Sequence, residues 1–114
     1  MLDINLEFVR GMLFVRLDGI LNKNTCLKLN NCLDKMINEK GLRYFVVNLE
    51  KLESIDKEGL KTIIDRYLDV AFHDGKLIIC GYNNQFNENI ELKSIFDRIE
   101  RIPNELKALN LINI

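Results

Sequence analysis

Ile4, Leu6 and Phe8 alternate with Asn5 and Glu7, and after Arg10-Gly11 the alternation resumes at Leu13, Val15 and Leu17 with Arg16 and Asp18 between. Period-two alternation on both sides of a glycine predicts a β-hairpin, because Gly11 takes the positive φ of a tight turn without a Cβ clash. From Cys26 the period changes: Cys26, Leu29, Leu33, Met36 and Ile37 recur at three- and four-residue spacing, the pattern of an amphipathic helix. Asn22-Lys23-Asn24-Thr25 supplies N-cap candidates, Gly41 suits the left-handed position past the helix end, and Lys35 and Lys40 lie toward the negative end of the dipole.

Tyr44 to Leu49 is apolar apart from Asn48, as in a central strand covered on both faces. A second helical stripe, Leu60, Ile63, Ile64, Tyr67, Leu68 and Ala71, is opposed by Lys61, Asp65, Arg66 and Asp69; it ends at Asp74-Gly75, with His73 as a C-terminal residue. Leu77 to Cys80 is another continuous apolar strand, and strand, helix and strand in that order predict a parallel pair joined by a right-handed crossover. Gly81 to Asn89, rich in Asn and Gly, predicts a long loop, and Leu92, Ile95 and Phe96 a short helix. Arg98 to Ile102 alternates like an exposed edge strand, and Pro103 can open a last helix carrying Leu106, Leu109 and Leu111. The fold class is α/β: one domain over residues 1–114, with a mixed, mostly parallel sheet, an N-terminal hairpin and helices packed against it.

The chain has 114 residues, 47% hydrophobic and 29% charged, a size and balance suited to one core. Sixteen Lys and Arg against 17 Asp and Glu leave a net charge of −1, which argues against a nucleic-acid or anionic-membrane binder. Met1-Leu2-Asp3-Ile4-Asn5 is no basic-then-apolar leader, and no apolar run approaches the roughly 20 residues that span a bilayer, so a cytoplasmic protein without membrane insertion is expected. Cys26, Cys32 and Cys80 lack the paired spacing of a zinc site, and His73 is the only histidine. They read as small core hydrophobes; neither a metal nor a nucleophilic thiol is expected. No Gly-rich phosphate loop or Ser-His-Asp set can be assembled, and Glu50, Glu53, Asp56 and Glu58, interspersed with Lys51 and Lys57, have the look of a solvated surface rather than paired catalytic carboxylates. No enzyme and no cofactor is expected.

The segment Leu52 to Leu60 joins the predicted central strand to the second amphipathic helix, and strand-to-helix loops commonly carry function. Asp56 is placed to cap the helix, and Glu58 sits in its first turn, where the peptide dipoles favour negative charge. This order of elements, with Asp56-Lys57-Glu58-Gly59-Leu60 at the helix start, resembles the STAS domain, a family that includes bacterial anti-sigma factor antagonists and the cytoplasmic domains of sulfate transporters. The resemblance covers nearly the whole chain. Leu17-Asp18-Gly19-Ile20-Leu21 is similar to the family's segment after its second strand, Tyr44 to Leu49 to its central strand, and Asp56 to Leu60 to its Asp-Ser-Ser-Gly-Leu motif.

In the antagonists the second serine of that motif is phosphorylated by the partner, an anti-sigma factor that is also a serine kinase, and phosphorylation breaks their complex. Here Glu58 occupies the phosphoacceptor position and Lys57 that of the first serine, so both hydroxyls are gone. Glu58 carries a charge of about −1 where phosphoserine carries about −1.5 to −2. The resemblance implies a non-catalytic module that binds an anti-sigma factor or a related ATPase through Ser54, Asp56, Lys57, Glu58, Gly59, Lys61 and Asp65, with Gly59 leaving room for a partner's backbone. It equally accommodates an accessory subunit of a membrane transport or stress-signalling complex. A degenerate receiver domain fits less well: Asn48 stands where its acceptor aspartate belongs, and the chain opens with a hairpin rather than a βαβ unit.

Overall fold

The computed structural model describes residues 1–82 and 94–111. β1 (Leu2–Val9) and β2 (Met12–Leu21) pair antiparallel, Val9 opposite Met12, and the two residues between them, Arg10 (φ 52°) and Gly11 (φ 85°), are both left-handed. That is the two-residue turn whose twist matches the strands it joins. α1 (Cys26–Asp34) runs on into a wider π-helical turn over Lys35–Glu39, and Gly41 (φ 67°) ends it as expected. β3 (Tyr44–Ile55), α2 (Lys57–Phe72) and β4 (Lys76–Cys80) follow, then β5 (Arg101–Ile102) and α3 (Glu105–Leu111). The strands form one sheet in sequence order; β1 and β2 are antiparallel and every other pair is parallel.

The second strand therefore belongs to two units at once. It closes the hairpin with β1 and, through α1, pairs in parallel with β3, so a strand-helix-strand unit precedes the one to which the pattern pointed. β3 is twelve residues long and continues through the stretch expected to be loop. Two extra residues on β3 interrupt its register with β2: Arg16 faces Asn48 while Asp18 faces Lys51, and Gly19 faces Leu52 while Ile20 faces Ser54. Such bulges rotate the side chains, which breaks the alternation that marks a strand. Leu17 to Leu21, expected after the second strand, forms its second half.

Parity divides the core between the sheet's two faces. Leu13, Val15, Leu17, Phe45, Val47, Leu77 and Ile79 pack with Leu29, Leu33 and Ile37 of α1 and Leu60, Ile63, Ile64 and Val70 of α2. Met12, Phe14, Val46, Ile78 and Cys80 point the other way and pack with Ala108 of α3. The predicted stripe of α2 needs one correction: Val70 is buried, whereas Leu68 and Ala71 are exposed, since the buried arc lies on the Leu60–Ile63–Val70 side of the helix.

In the C-terminal part, only Arg101 and Ile102 of the expected edge strand pair with β4, and Ile99 is buried in the main core. Residues 94–96, including Ile95 and Phe96, form a single helical turn; Leu92 and residues 83–89 of the expected loop lie outside the described residues. The last helix starts after Pro103, because the Asn104 Oδ1 accepts from Lys107 N (3.2 Å) and caps it. Its first residue ties it to the sheet. Arg16 donates to both carboxylate oxygens of Glu105 (2.8 and 2.7 Å), Asn48 Nδ2 donates to Glu105 Oε2 (2.8 Å), and the same guanidinium reaches Asn5 Oδ1 (2.9 Å) and Glu7 (2.8 Å).

Hydrogen bonding from Arg16, opposed by burial and aided by Asn48, holds the Glu105 carboxyl below the usual carboxylate range. A carboxyl depressed in the folded state stabilises fully above its unfolded pKa of about 4.3, and that contribution is lost as pH falls through the folded value. Glu105→Gln should therefore lower stability at neutral pH yet show a shallower loss below about pH 4 than the parent, read by urea unfolding across pH. The core makes a second contrast. Phe45→Ala, at a side chain 2% exposed, should cost about 3–5 kcal/mol, and Phe72→Ala, at one 84% exposed, should stay within about 0.5 kcal/mol, by the same measurement.

Candidate functional site

The start of α2 is built where β2 and β3 end together. Leu21 pairs with Ile55, and the next backbone amide, Asp56 N, donates to Leu21 O (3.2 Å), so the end of β2 holds the residue that begins the helix. Asp56 is extended (φ −98°, ψ −175°), the geometry of an N-cap, and its Oδ1 accepts from Gly59 N (2.8 Å) as expected. Its other oxygen, Oδ2, accepts from Lys23 N (3.2 Å). One carboxylate thereby joins the turn before α1 to the start of α2. That turn is itself held by side chains: Asn22 Oδ1 accepts from the amides of Asn24 and Thr25, and Thr25 Oγ1 donates to Ile20 O (2.8 Å).

Gly59 corrects an expectation. It is buried, and a Cβ placed on it would lie 2.4 Å from Leu21 O and 2.9 Å from the Ile55 and Leu21 side chains. The room it leaves is taken by the chain's own β2 rather than offered to a partner's backbone. Gly59 is thus a packing requirement that lets α2 lie against the strand ends.

Ser54, Asp56, Lys57 and Glu58 are exposed around this helix start. Ser54 lies on β3, paired with Ile20, and not in a turn. Lys57, Lys61 and Asp65 follow at four-residue steps down the outward face, with Lys61 Nζ bonded to Asp65 Oδ2 (3.1 Å). The same face continues to Leu68 and Phe72, both exposed, so a charged upper half gives way to an apolar lower half that the stripe of apolar residues did not reveal. Thr62 is turned inward at 5% exposure, and its hydroxyl donates to Glu58 O (2.9 Å). Among the hydroxyls nearest Glu58, only that of Ser54 faces solvent.

The opposite face of the sheet holds an open cleft of about 770 Å³, bordered by Arg16, Asp18, Asn48, Lys51 and the first turn of α3. Its polar wall is the Arg16–Glu105–Asn48 network, whose two ends lie 89 residues apart, a pairing for which no local pattern exists. Among the described residues, no group of three or more His, Cys, Asp or Glu is placed to hold a metal ion, and no helix is long and apolar enough to cross a membrane.

Residues 3–108 match the profile of the STAS domain. The chain belongs to the STAS domain family. This STAS domain is 27% identical, over 99% of its own length and 97% of the relative's, to the anti-sigma F factor antagonist of Paenibacillus polymyxa. In structure it is similar to an anti-sigma factor antagonist from Mycobacterium paratuberculosis (TM-score 0.82, 17% identity, covering 98% of this chain and 94% of that one). It is also similar to the phosphorylated form of the Bacillus cell fate determinant SpoIIAA (TM-score 0.76, 16% identity, covering 97% and 100%). At such identities the structural likeness speaks for the fold.

The helix start of this STAS domain should be sensitive to changes at the residues that hold it in place. Gly59→Ala should lower stability by about 1–3 kcal/mol through overpacking against Leu21, and Asp56→Ala by about 0.5–2 kcal/mol through loss of the cap. Denaturant unfolding of both variants checks this, and a Gly59→Ala protein as stable as the parent would contradict the packing role.

Proposed function

We propose that this STAS domain is a non-catalytic, cytoplasmic binding module of the anti-sigma factor antagonist kind, whose partner is an anti-sigma factor with serine kinase activity or a related ATPase. The partner docks on the exposed start and outer face of α2, through Ser54, Asp56, Lys57, Lys61 and Asp65 around Glu58, while Gly59 holds that helix in place from behind. The observation that carries the reading is the position of Glu58. Asp56 caps the helix and Gly59 packs on Leu21 around it, and Glu58, exposed in the first turn, is the residue that the resemblance aligns with the family's acceptor serine.

Mixed charge on the face suits selection among partners more than raw affinity, because complementary charges steer encounter and like charges reject the wrong surface. The switch, in this reading, is absent. Glu58 has no hydroxyl for a serine kinase to phosphorylate, Thr62 is turned into the protein, and its hydroxyl is already bonded to the backbone. The carboxylate of Glu58 then serves first to compensate the helix dipole.

Incubation with a kinase-type anti-sigma factor, ATP and Mg²⁺ should leave the intact mass unchanged. A stoichiometric phosphate mapped to Ser54 would show that the acceptor has moved rather than vanished. Glu58→Ser should lower folding stability by about 0.3–1 kcal/mol with partner affinity unchanged within error, measured by unfolding and by calorimetry on one preparation. Tighter binding by the serine variant would instead make Glu58 a stand-in for the phosphorylated state, and weaker binding would make it a direct contact.

A further inference from the structure

The two faces of the sheet are covered very unequally. α1 with its π-helical turn and α2 place seven buried hydrophobic side chains on one face: Leu29, Leu33, Ile37, Leu60, Ile63, Ile64 and Val70. On the other face, Met12, Phe14, Val46, Ile78 and Cys80 are each at most 4% exposed, and among the described residues the helix over them contributes one fully buried residue, Ala108, with Leu109 partly buried. That helix, α3, has seven residues, and Leu106 and Lys107 on it face solvent. Helices this short do not hold together by themselves in water, so α3 exists only while it is docked.

Apart from the backbone bond from Gly81 N to Pro103 O (3.3 Å), two devices dock it. One is the apolar contact of Ala108 and Leu109 with the patch beneath, to which the small Ala108 side chain brings little area of its own. The other is Glu105, which takes two hydrogen bonds from Arg16 of β2 and one from Asn48 of β3. The charged bonds dominate, and they sit at the end of the helix next to Pro103 and Asn104, where the chain leaves β5. If they break, Arg16 keeps Glu7 and Asn5 as partners, so the guanidinium is not stranded. The latch can therefore open without leaving an unpaired charge on the sheet, and what then opposes departure is the apolar cost of uncovering the patch beneath α3.

We propose that residues 103–111 form a releasable strap, latched by Glu105 to Arg16 and Asn48, which opens as a unit while the face carrying α1 and α2 stays folded. Opening uncovers the apolar patch of Met12, Phe14, Val46, Ile78 and Cys80 and removes the wall that Pro103, Asn104, Glu105 and Leu106 give to the cleft beside it. The device is separate from the start of α2, which rests on the α1 and α2 face, and it stands whether or not that helix start binds an anti-sigma factor.

Cys80 reports the state of the strap. It is fully buried in the same cluster as Ala108, whereas Cys26 and Cys32 on α1 are partly exposed and act as internal references. The full chain is pulsed with N-ethylmaleimide at increasing urea, and each cysteine is read by peptide mapping. At low urea Cys80 should label through an opening that urea accelerates less than it accelerates global unfolding, since one face only is uncovered, and should do so at least about tenfold faster than global unfolding permits. Glu105→Gln, which removes the latch charge and keeps the shape, should speed that labelling by about tenfold, in line with the loss of a charge-assisted hydrogen bond. Labelling of Cys80 only in step with global unfolding would overturn the proposal in the parent protein alone, whatever the variant does. A low-urea opening whose rate Glu105→Gln leaves unchanged would overturn it too, because the opening would not be the strap's.

Discussion

The contact on which the start of α2 depends is the approach of Gly59 to the carbonyl of Leu21, with Asp56 bonded on both sides of it. A helix that follows a strand must turn over the sheet, and the distance at which it does so is set by whatever fills the first turn. Here nothing fills it. The last carbonyl of β2 occupies the space of the missing Cβ, Asp56 N hydrogen-bonds that same carbonyl, and the Asp56 carboxylate spans from Gly59 N to Lys23 N. These bonds bring two strand ends, the turn before α1 and the start of α2 into one rigid junction. Exposure of Lys57 and Glu58 is a consequence of it, since burying Gly59 turns its neighbours outward.

The sheet contributes a second asymmetry. A central parallel sheet needs both faces covered, and this chain meets the need with two long connections on one side and a short terminal helix on the other. Burial of apolar area holds α1 and α2, whereas α3 brings less of it and adds an ionic contact at its first turn. Ionic contacts are directional and respond to pH, whereas apolar burial is neither directional nor titratable. The two sides of the molecule are thus held by different physics, which leaves the α2 side stable enough to present a fixed surface and the α3 side free to open.

Much of this was legible in the chain. Alternation gave the hairpin, three- and four-residue spacing gave α1 and α2, and the chemistry of single residues gave the Asp56 cap, the left-handed Gly41 and the end of α2 at His73. What was hidden was non-local. The extension of β3 to Ile55 reads as loop because two bulges and the polar residues Glu50, Lys51 and Glu53 erase the period, and its partner in β2 is known only once the sheet is assembled. Gly59 was recognised as a place of close approach, but its neighbour is Leu21, 38 residues earlier, and not a partner molecule. Arg16 and Glu105 carry no mark of their pairing. The exposed Leu68 was counted with the core because helical spacing defines a stripe more sharply than it defines the stripe's edge.

The central claim is that the outward face of α2, presented by the Asp56 and Gly59 junction, is what this STAS domain shows to its partner. Backbone amide chemical-shift mapping during titration with a kinase-type anti-sigma factor tests it most directly. The account predicts that the largest perturbations fall on Ser54 to Asp65, with the turn at Lys23 and Asn24 following because Asp56 couples to it. Perturbations confined to β5 and α3, with the amides from Ser54 to Asp65 unmoved at saturation, would contradict it.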